Sequence, residues 1–393
     1  MADGIGNRLA GFSSRVNRPR TAGCSNMGNG AFSADCVGDL GTGDSHLYAK
    51  TTVNMRETLS RFSSSRSFRW GFGMVISFFA LFLAGKNVNI HEVGRVLKEA
   101  IPGYVILAVG SVLVNNLSKI LRWRVLLGSA NRNVGLLQLA AATMIGQLVN
   151  LFVPGRVGEL SRVVMIGHGV GQGRTFVLGT IVLEKWVDIL AYALLFLILF
   201  ILMPLPDWME GSVFTLVGMI TLGGGLLAGM IYFHASFTVF LIKLVHYFPE
   251  RFRGWVLPRI ETAMSSLKNL RKGSDLFAVI FWTITVWATA FLNNLLIMLA
   301  LRMDVSVSSV LLLLISLQAG IVVSASPGTV GIFEYICILA LSVFGVSQVF
   351  ALGYGILLHA VLLLPQMVLG LLSFFIWGMR VQSLPTHSIS EVD

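Results

Sequence analysis

Uninterrupted apolar runs set the limits on how this chain can fold. Ile189 to Met203 contains no charged residue, and Phe214 to Phe233 is a second run of the same kind. Neither has the one-sided stripe of a helix lying on a water-soluble core. A bilayer's hydrocarbon core takes roughly 20 apolar residues per helix, and several segments meet that length. The composition agrees: 55% of residues are hydrophobic and 12% charged, against about 25% charged in soluble domains. So little charge cannot clothe 393 residues in a water-facing skin. The sequence predicts an all-α, polytopic membrane protein.

Lys and Arg number 29 against 19 acidic residues, a formal net charge of +10. In a soluble chain this would suggest nucleic acid. Here the basic residues gather at the ends of apolar runs, where they orient the chain and meet anionic lipid, so no nucleic-acid partner is expected. Cys24, Cys36 and Cys337 form neither a CxxC spacing nor a disulfide framework. No metal and no cofactor is expected, and Cys337, inside an apolar run, reads as a packing residue.

Residues 1–69 are rich in Gly, Ser, Asn and Arg, without a signal-peptide apolar run. They are expected to be a disordered tail, with Met55 as an alternative start. Six full spans are expected at about 70–85, 101–121, 175–203, 212–233, 276–300 and 349–378. Residues 86–100 and the basic segment 234–273 read as amphipathic helices at the surface. Two further apolar stretches, 134–153 and 306–325, run into Pro154-Gly155 and Pro327-Gly328. The domain as read covers 70–380, with a polar tail at 381–393.

The positive-inside rule then fixes a topology. An inside N-terminus also places Lys119–Arg132, Lys243–Lys272 and Arg380 inside, and the acidic turn 204–211 outside. This holds only if each Pro-Gly stretch returns to the side it entered from. The expectation is six spans plus two re-entrant hairpins, in the cell's inner (plasma) membrane, with both termini cytoplasmic.

The unit occurs twice. Val114-Asn115-Asn116-Leu117 recurs as Leu292-Asn293-Asn294-Leu295, and each copy leads to Pro-Gly-x-Val-Gly, at Pro154–Gly158 and Pro327–Gly331. Carboxylates follow, Glu159 and Glu334, and Glu184 and His359 fall at matching places in the next span. The two copies would be inverted, a recurrent transporter design with broken helices near the midplane. Chance recurrence of short Asn-Asn and Pro-Gly pairs is the alternative.

A backbone break in lipid persists only where protein or a wet cavity satisfies it. Pro154 lacks the N–H that would continue the helix, and Gly155 and Gly158 permit the turn; Pro327, Gly328 and Gly331 repeat the pattern. Arg156, Glu159 and Arg162 stand three apart on one helical face. With the helix N-terminus they could seat a phosphate, or neutralise one another structurally. Glu184, Lys185 and Asp188 interrupt an apolar run, either to meet Arg156 or Arg162 and gate a head group, or as a pair within their own helix. Asn150, Gln147 and Gln318 either line a polar groove or bond between helices. Arg122, Trp123 and Arg124 read mainly as an interfacial anchor that also meets lipid phosphate. His359 reads as a hydrogen-bonded structural residue or a proton carrier. No HExxH, GxSxG, Walker or dinucleotide pattern falls in a suitable context, so bond-making chemistry is not expected.

Taken in order, these motifs resemble the membrane domain of lysylphosphatidylglycerol synthases and their stand-alone relatives. They are Asn116 with Arg122-Trp123 and Leu126-Leu127, Asn150 with Pro154–Glu159 and Arg162, Glu184 with Asp188, Pro327-Gly328 with Gly331 and Glu334, and Pro365 with Gly370. The resemblance covers about 70–378. In two-domain members this part is the flippase that moves aminoacylated phosphatidylglycerol between leaflets, while a separate C-terminal domain performs the synthesis. That second domain has no counterpart in this sequence. The resemblance therefore implies translocation of an anionic or aminoacylated phospholipid, or of a prenyl- or glycolipid, by a chain that could self-associate. The alternative is a non-transporting partner that docks a lipid-modifying enzyme through 234–273.

Overall fold

The computed structural model describes residues 78–382, apart from 87, 129–133, 154–156, 168–169, 171–172, 204–209, 248, 324–326 and scattered positions between 251 and 271. The expected N-terminal tail, residues 383–393 of the expected C-terminal one, most of the first span and the Pro154–Arg156 stretch fall outside the described residues. Among those described every regular element is helical. A short amphipathic helix, α1 (Ile90–Lys98), precedes α2 (Pro102–Leu127), α3 (Leu136–Phe152), α4 (Gly158–Gly167), α5 (Gly173–Leu202) and α6 (Glu210–Tyr232). The chain continues through α7 (His234–Val245), α8 (Gly273–Ala300), α9 (Val307–Val323), α10 (Ile332–Ser342) and α11 (Gln348–Gln382).

Five helices, α2, α5, α6, α8 and α11, are long and apolar enough to cross a membrane. Their outward faces carry large apolar side chains such as Ile106, Val182, Phe277 and Phe375, which suits a lipid surround. In such a surround apolar burial gives helices little reason to associate, so close packing and interhelical hydrogen bonds matter more. The pairing of α2 with α8 illustrates this. Ser111 Oγ donates to the Thr289 carbonyl at 3.1 Å. Asn115 Nδ2 reaches the Val286 carbonyl and Thr289 Oγ1, each at 2.7 Å. Arg122 meets Thr283 Oγ1 at 3.3 Å. Partner numbers fall along α8 as they rise along α2, so these Asn-Asn helices run antiparallel.

Each Pro-Gly break lies between two short helices folded back on each other. In the first hairpin, α3 and α4 cross glycine on glycine: a Cβ on Gly146 would lie 2.8 Å from the Gly158 carbonyl oxygen, and one on Gly158 would overlap the Gly146 carbonyl. Only backbone without a side chain approaches so closely. In the second, α9 and α10 meet at Gly320 and Ile336. The chain reverses there through a 3₁₀ turn, Pro327–Thr329, in which Gly328 has φ +63° and Thr329 φ +56°. A left-handed conformation is routine for glycine but costly for a β-branched residue.

The two hairpins pack near one another. Leu151, at the end of α3, and Leu363 of α11 both flank Gly328, 3.6 and 3.8 Å from where its Cβ would stand. Near Gly370, α11 also crosses α3 closely, 2.7 Å from Leu148 Cβ by the same measure. The second break therefore lies against the helix that leads into the first.

Candidate functional site

Around the first break, helices α2, α4 and α5 each turn charged side chains inward. Arg162 of α4 pairs with Glu184 of α5 through two hydrogen bonds, at 2.9 and 3.4 Å. Its guanidinium lies 4.0 Å from the centre of the Trp123 ring, a cation–π contact strengthened by exclusion of water. Arg122 of α2 grips Asp188 in the same forked manner, at 2.6 and 3.1 Å, and stands 3.7 Å from Glu184. Glu159, in the first turn of α4, faces Lys185 at 3.3 Å. Arg122, Arg162 and Glu184 are all buried.

Asn150 completes the first break. Its carboxamide oxygen accepts the Gly158 N–H at 2.7 Å, and its amide donates to Glu159 at 3.0 Å. The Gly158 N–H opens α4 and has no partner within that helix. Asn150 supplies one from the preceding helix while holding the carboxylate in place.

At the second break the same task falls to Glu334, whose carboxylate accepts the Gly331 N–H at 2.6 Å. The other carboxylate oxygen meets His359 Nδ1 at 2.6 Å, and His359 Nε2 meets the Gly328 carbonyl at 2.9 Å. Phe333 stacks on the imidazole with centroids 4.4 Å apart. The two breaks thus differ in chemistry: arginines and carboxylates surround the first, a histidine–glutamate pair closes the second.

Glu184 meets Arg162, one of the two partners its sequence position suggests, and Glu159 shares a face with Arg162 toward α5. Lys185 bonds to Glu159, and Asp188 crosses to α2 to meet Arg122, so the intrahelical pairing gives way to pairing between helices. The expected interfacial anchor is corrected for Arg122 and Trp123. Arg122 is 1% and Trp123 0% exposed, and Trp123 Nε1 donates to Thr180 Oγ1 at 3.2 Å. Arg124, one residue on, is exposed. An Arg-Trp pair is as fit for a core that offers a carboxylate and a hydroxyl as for an interface, and sequence alone does not show which neighbours it meets. Cys337 is a buried packing residue, as read. Pro154, Gly155 and Arg156 lie outside the described residues.

Sequence reading missed three features. Asn115 bonds across to α8, Arg122 joins Asp188, and His359 joins Glu334; each depends on which helices are neighbours. Several buried polar atoms have no hydrogen-bond partner among the described residues: both ends of the Asn116 carboxamide, Gln147 Oε1, and Nε of Arg122 and of Arg162. Asn116 lies two turns before Trp123 on the same helical face. Among the described residues no group of His, Cys, Asp and Glu has the makings of a metal site.

No curated protein and no solved structure matches the chain. Residues 70–370 match the family described as the lysylphosphatidylglycerol synthase TM region, a span that takes in both breaks and the charged interior between α2, α4 and α5. By that match, over more than half its length, the chain belongs to the lysylphosphatidylglycerol synthase transmembrane-region family.

Proposed function

We propose that this protein moves a lipid with an anionic or amphiphilic head group between leaflets. The head group would pass through the polar interior between the two breaks while its tails stay in the bilayer. Candidates are an anionic or aminoacylated phospholipid and a prenyl- or glycolipid. Family membership supports a flippase-like role. The observation that carries the reading is the set of buried arginine–carboxylate forks beside a helix break. Charges inside a membrane domain are costly and mark polar paths.

The chemistry of exchange supports it further. A phosphate presents oxygens to a guanidinium fork much as a carboxylate does. An arriving head group could replace Glu184 or Asp188 on its arginine and be released when the carboxylate returns. Arg122, Arg162 and Lys185 stand against Glu159, Glu184 and Asp188 in this network, so each cation already holds a carboxylate that an arriving anion could replace. The Asn116 carboxamide, Gln147 Oε1 and the Nε atoms of Arg122 and Arg162, unpartnered among the described residues, suit an interior that admits water or a head group. The antiparallel Asn-Asn helices and the paired hairpins support an inverted repeat. The placing of basic residues at the ends of apolar runs supports both termini in the cytoplasm of an inner membrane.

The test is leaflet exchange by the full chain in proteoliposomes, with head-group-labelled phosphatidylglycerol, aminoacylated phosphatidylglycerol and prenyl phosphate. Faster exchange than in protein-free vesicles, lost in Arg162→Met, is the expected result. No acceleration of any of these lipids by folded protein overturns the proposal. A function lost only on changing residues 234–273 would favour the docking alternative.

A further inference from the structure

The Glu334–His359 pair imposes a condition that hydrogen-bond counting alone reveals. The Gly328 carbonyl can only accept, so His359 Nε2, 2.9 Å away, must carry a hydrogen. Glu334 Oε2 accepts from the Gly331 N–H at 2.6 Å. Between Glu334 Oε1 and His359 Nδ1, 2.6 Å apart, one more proton is required. Whether it sits on the carboxyl or on the ring, the pair as a whole is neutral and holds that proton. Without it, a carboxylate oxygen would face the Nδ1 lone pair. If the ring changed tautomer, its Nε2 lone pair would face the Gly328 carbonyl. Either way one of the two bonds is lost.

Those two bonds hold a strained turn. Gly328, Thr329 and Gly331 all have positive φ, at +63°, +56° and +86°, and Thr329 is β-branched, for which this region is costly. We propose that Glu334 and His359 form a proton-binding latch that closes the second helix break when loaded and frees it when the proton leaves to water. Loss of the proton takes the pair from net zero to −1. No compensating charge faces it among the described residues. His359 is the one titratable side chain bonded to Glu334 among the described residues. The other titratable side chains on α10 and on the part of α11 before His359 are Tyr335, Cys337 and Tyr354, and Tyr354 bonds to the Asn294 side chain at 2.9 Å. Helices α3 and α9 carry no ionisable side chain, and Glu92, Arg95 and Lys98 of α1 are exposed. The latch goes beyond the translocase reading and stands without it, because its state can be read with no lipid moving.

Glu334→Gln isolates the proton. Glutamine keeps the carbonyl that accepts from Gly331 and offers an amide donor to Nδ1, a permanent copy of the loaded state. Hydrogen exchange of residues 328–335 in the full chain, compared at equal pH, is the readout. From acid to alkaline pH the wild type should lose about tenfold in protection relative to Glu334→Gln, as expected for one lost buried bond, in a one-proton transition. Equal pH dependence in both proteins overturns the latch. Infrared titration of the wild type is a second measurement, independent of whether the variant folds. One proton leaving a carboxyl–imidazole pair as exchange rises supports the latch; exchange rising with no such proton loss refutes it.

Discussion

Removing Glu184 tests the charged interior most sharply. Among the described residues Arg162 has one carboxylate partner, Glu184, and its Nε is already unpartnered. Glu184→Leu therefore leaves a buried guanidinium whose one remaining partner among those residues is the Trp123 ring. Breaking a buried pair from one side costs about 3–5 kcal/mol. Arg162→Met should cost less, about 2 kcal/mol, because Glu184 keeps Arg122, 3.7 Å away. The double variant Arg162→Met/Glu184→Leu should fall about 2 kcal/mol or more short of the sum of the singles, since neither charge is then stranded. The assay is equilibrium unfolding of the full chain in detergent micelles, monitored by tryptophan fluorescence. Additive losses, or a Glu184→Leu variant as stable as the wild type, would falsify the view that these two charges depend on each other.

Three further substitutions probe the breaks. Asn150→Ala strands the Gly158 N–H and should cost about 1–3 kcal/mol; unchanged unfolding would show that another acceptor replaces it. Gly158→Ala places a methyl against the Gly146 carbonyl and Asn150, backbone and cap that cannot easily yield. A loss of about 1–3 kcal/mol is expected, and a neutral result would mean the two helices stand further apart. Thr329→Gly relieves a left-handed β-branched residue at φ +56°, worth about 1–2 kcal/mol less the entropy glycine adds to the unfolded chain. It should raise hydrogen-exchange protection at Val330 and Gly331 and, because the closed turn is the form that binds the proton, move the midpoint of the Glu334–His359 pair to higher pH. An unmoved midpoint would show that the turn and the proton are not linked.

The residues show unevenly what sequence can tell. Pro327-Gly328 marked a break because proline and glycine act on their own backbone, and Glu184 stood out because a carboxylate in an apolar run needs a partner. By contrast, Arg122 and Trp123 read as an anchor, since nothing in the chain indicates that Asp188 and Thr180 come up against them. Glu334 and His359, each singled out separately, gave no sign of being bonded across 25 positions. Their link depends on α10 folding back beside α11.

By itself the sequence determined the membrane class, the long helices and the positions of the breaks. These follow from hydrocarbon thickness, backbone hydrogen bonding and the stereochemistry of proline and glycine, which act over a few residues at a time. Tertiary structure alone decided which charges meet, that α2 and α8 lie side by side and bond through Asn115, and that Leu151 brings one hairpin against the Gly328 of the other. Those outcomes depend on distances between helices far apart in the chain. Inside a bilayer, where apolar faces are nearly interchangeable, the few polar side chains and close glycine contacts set those distances.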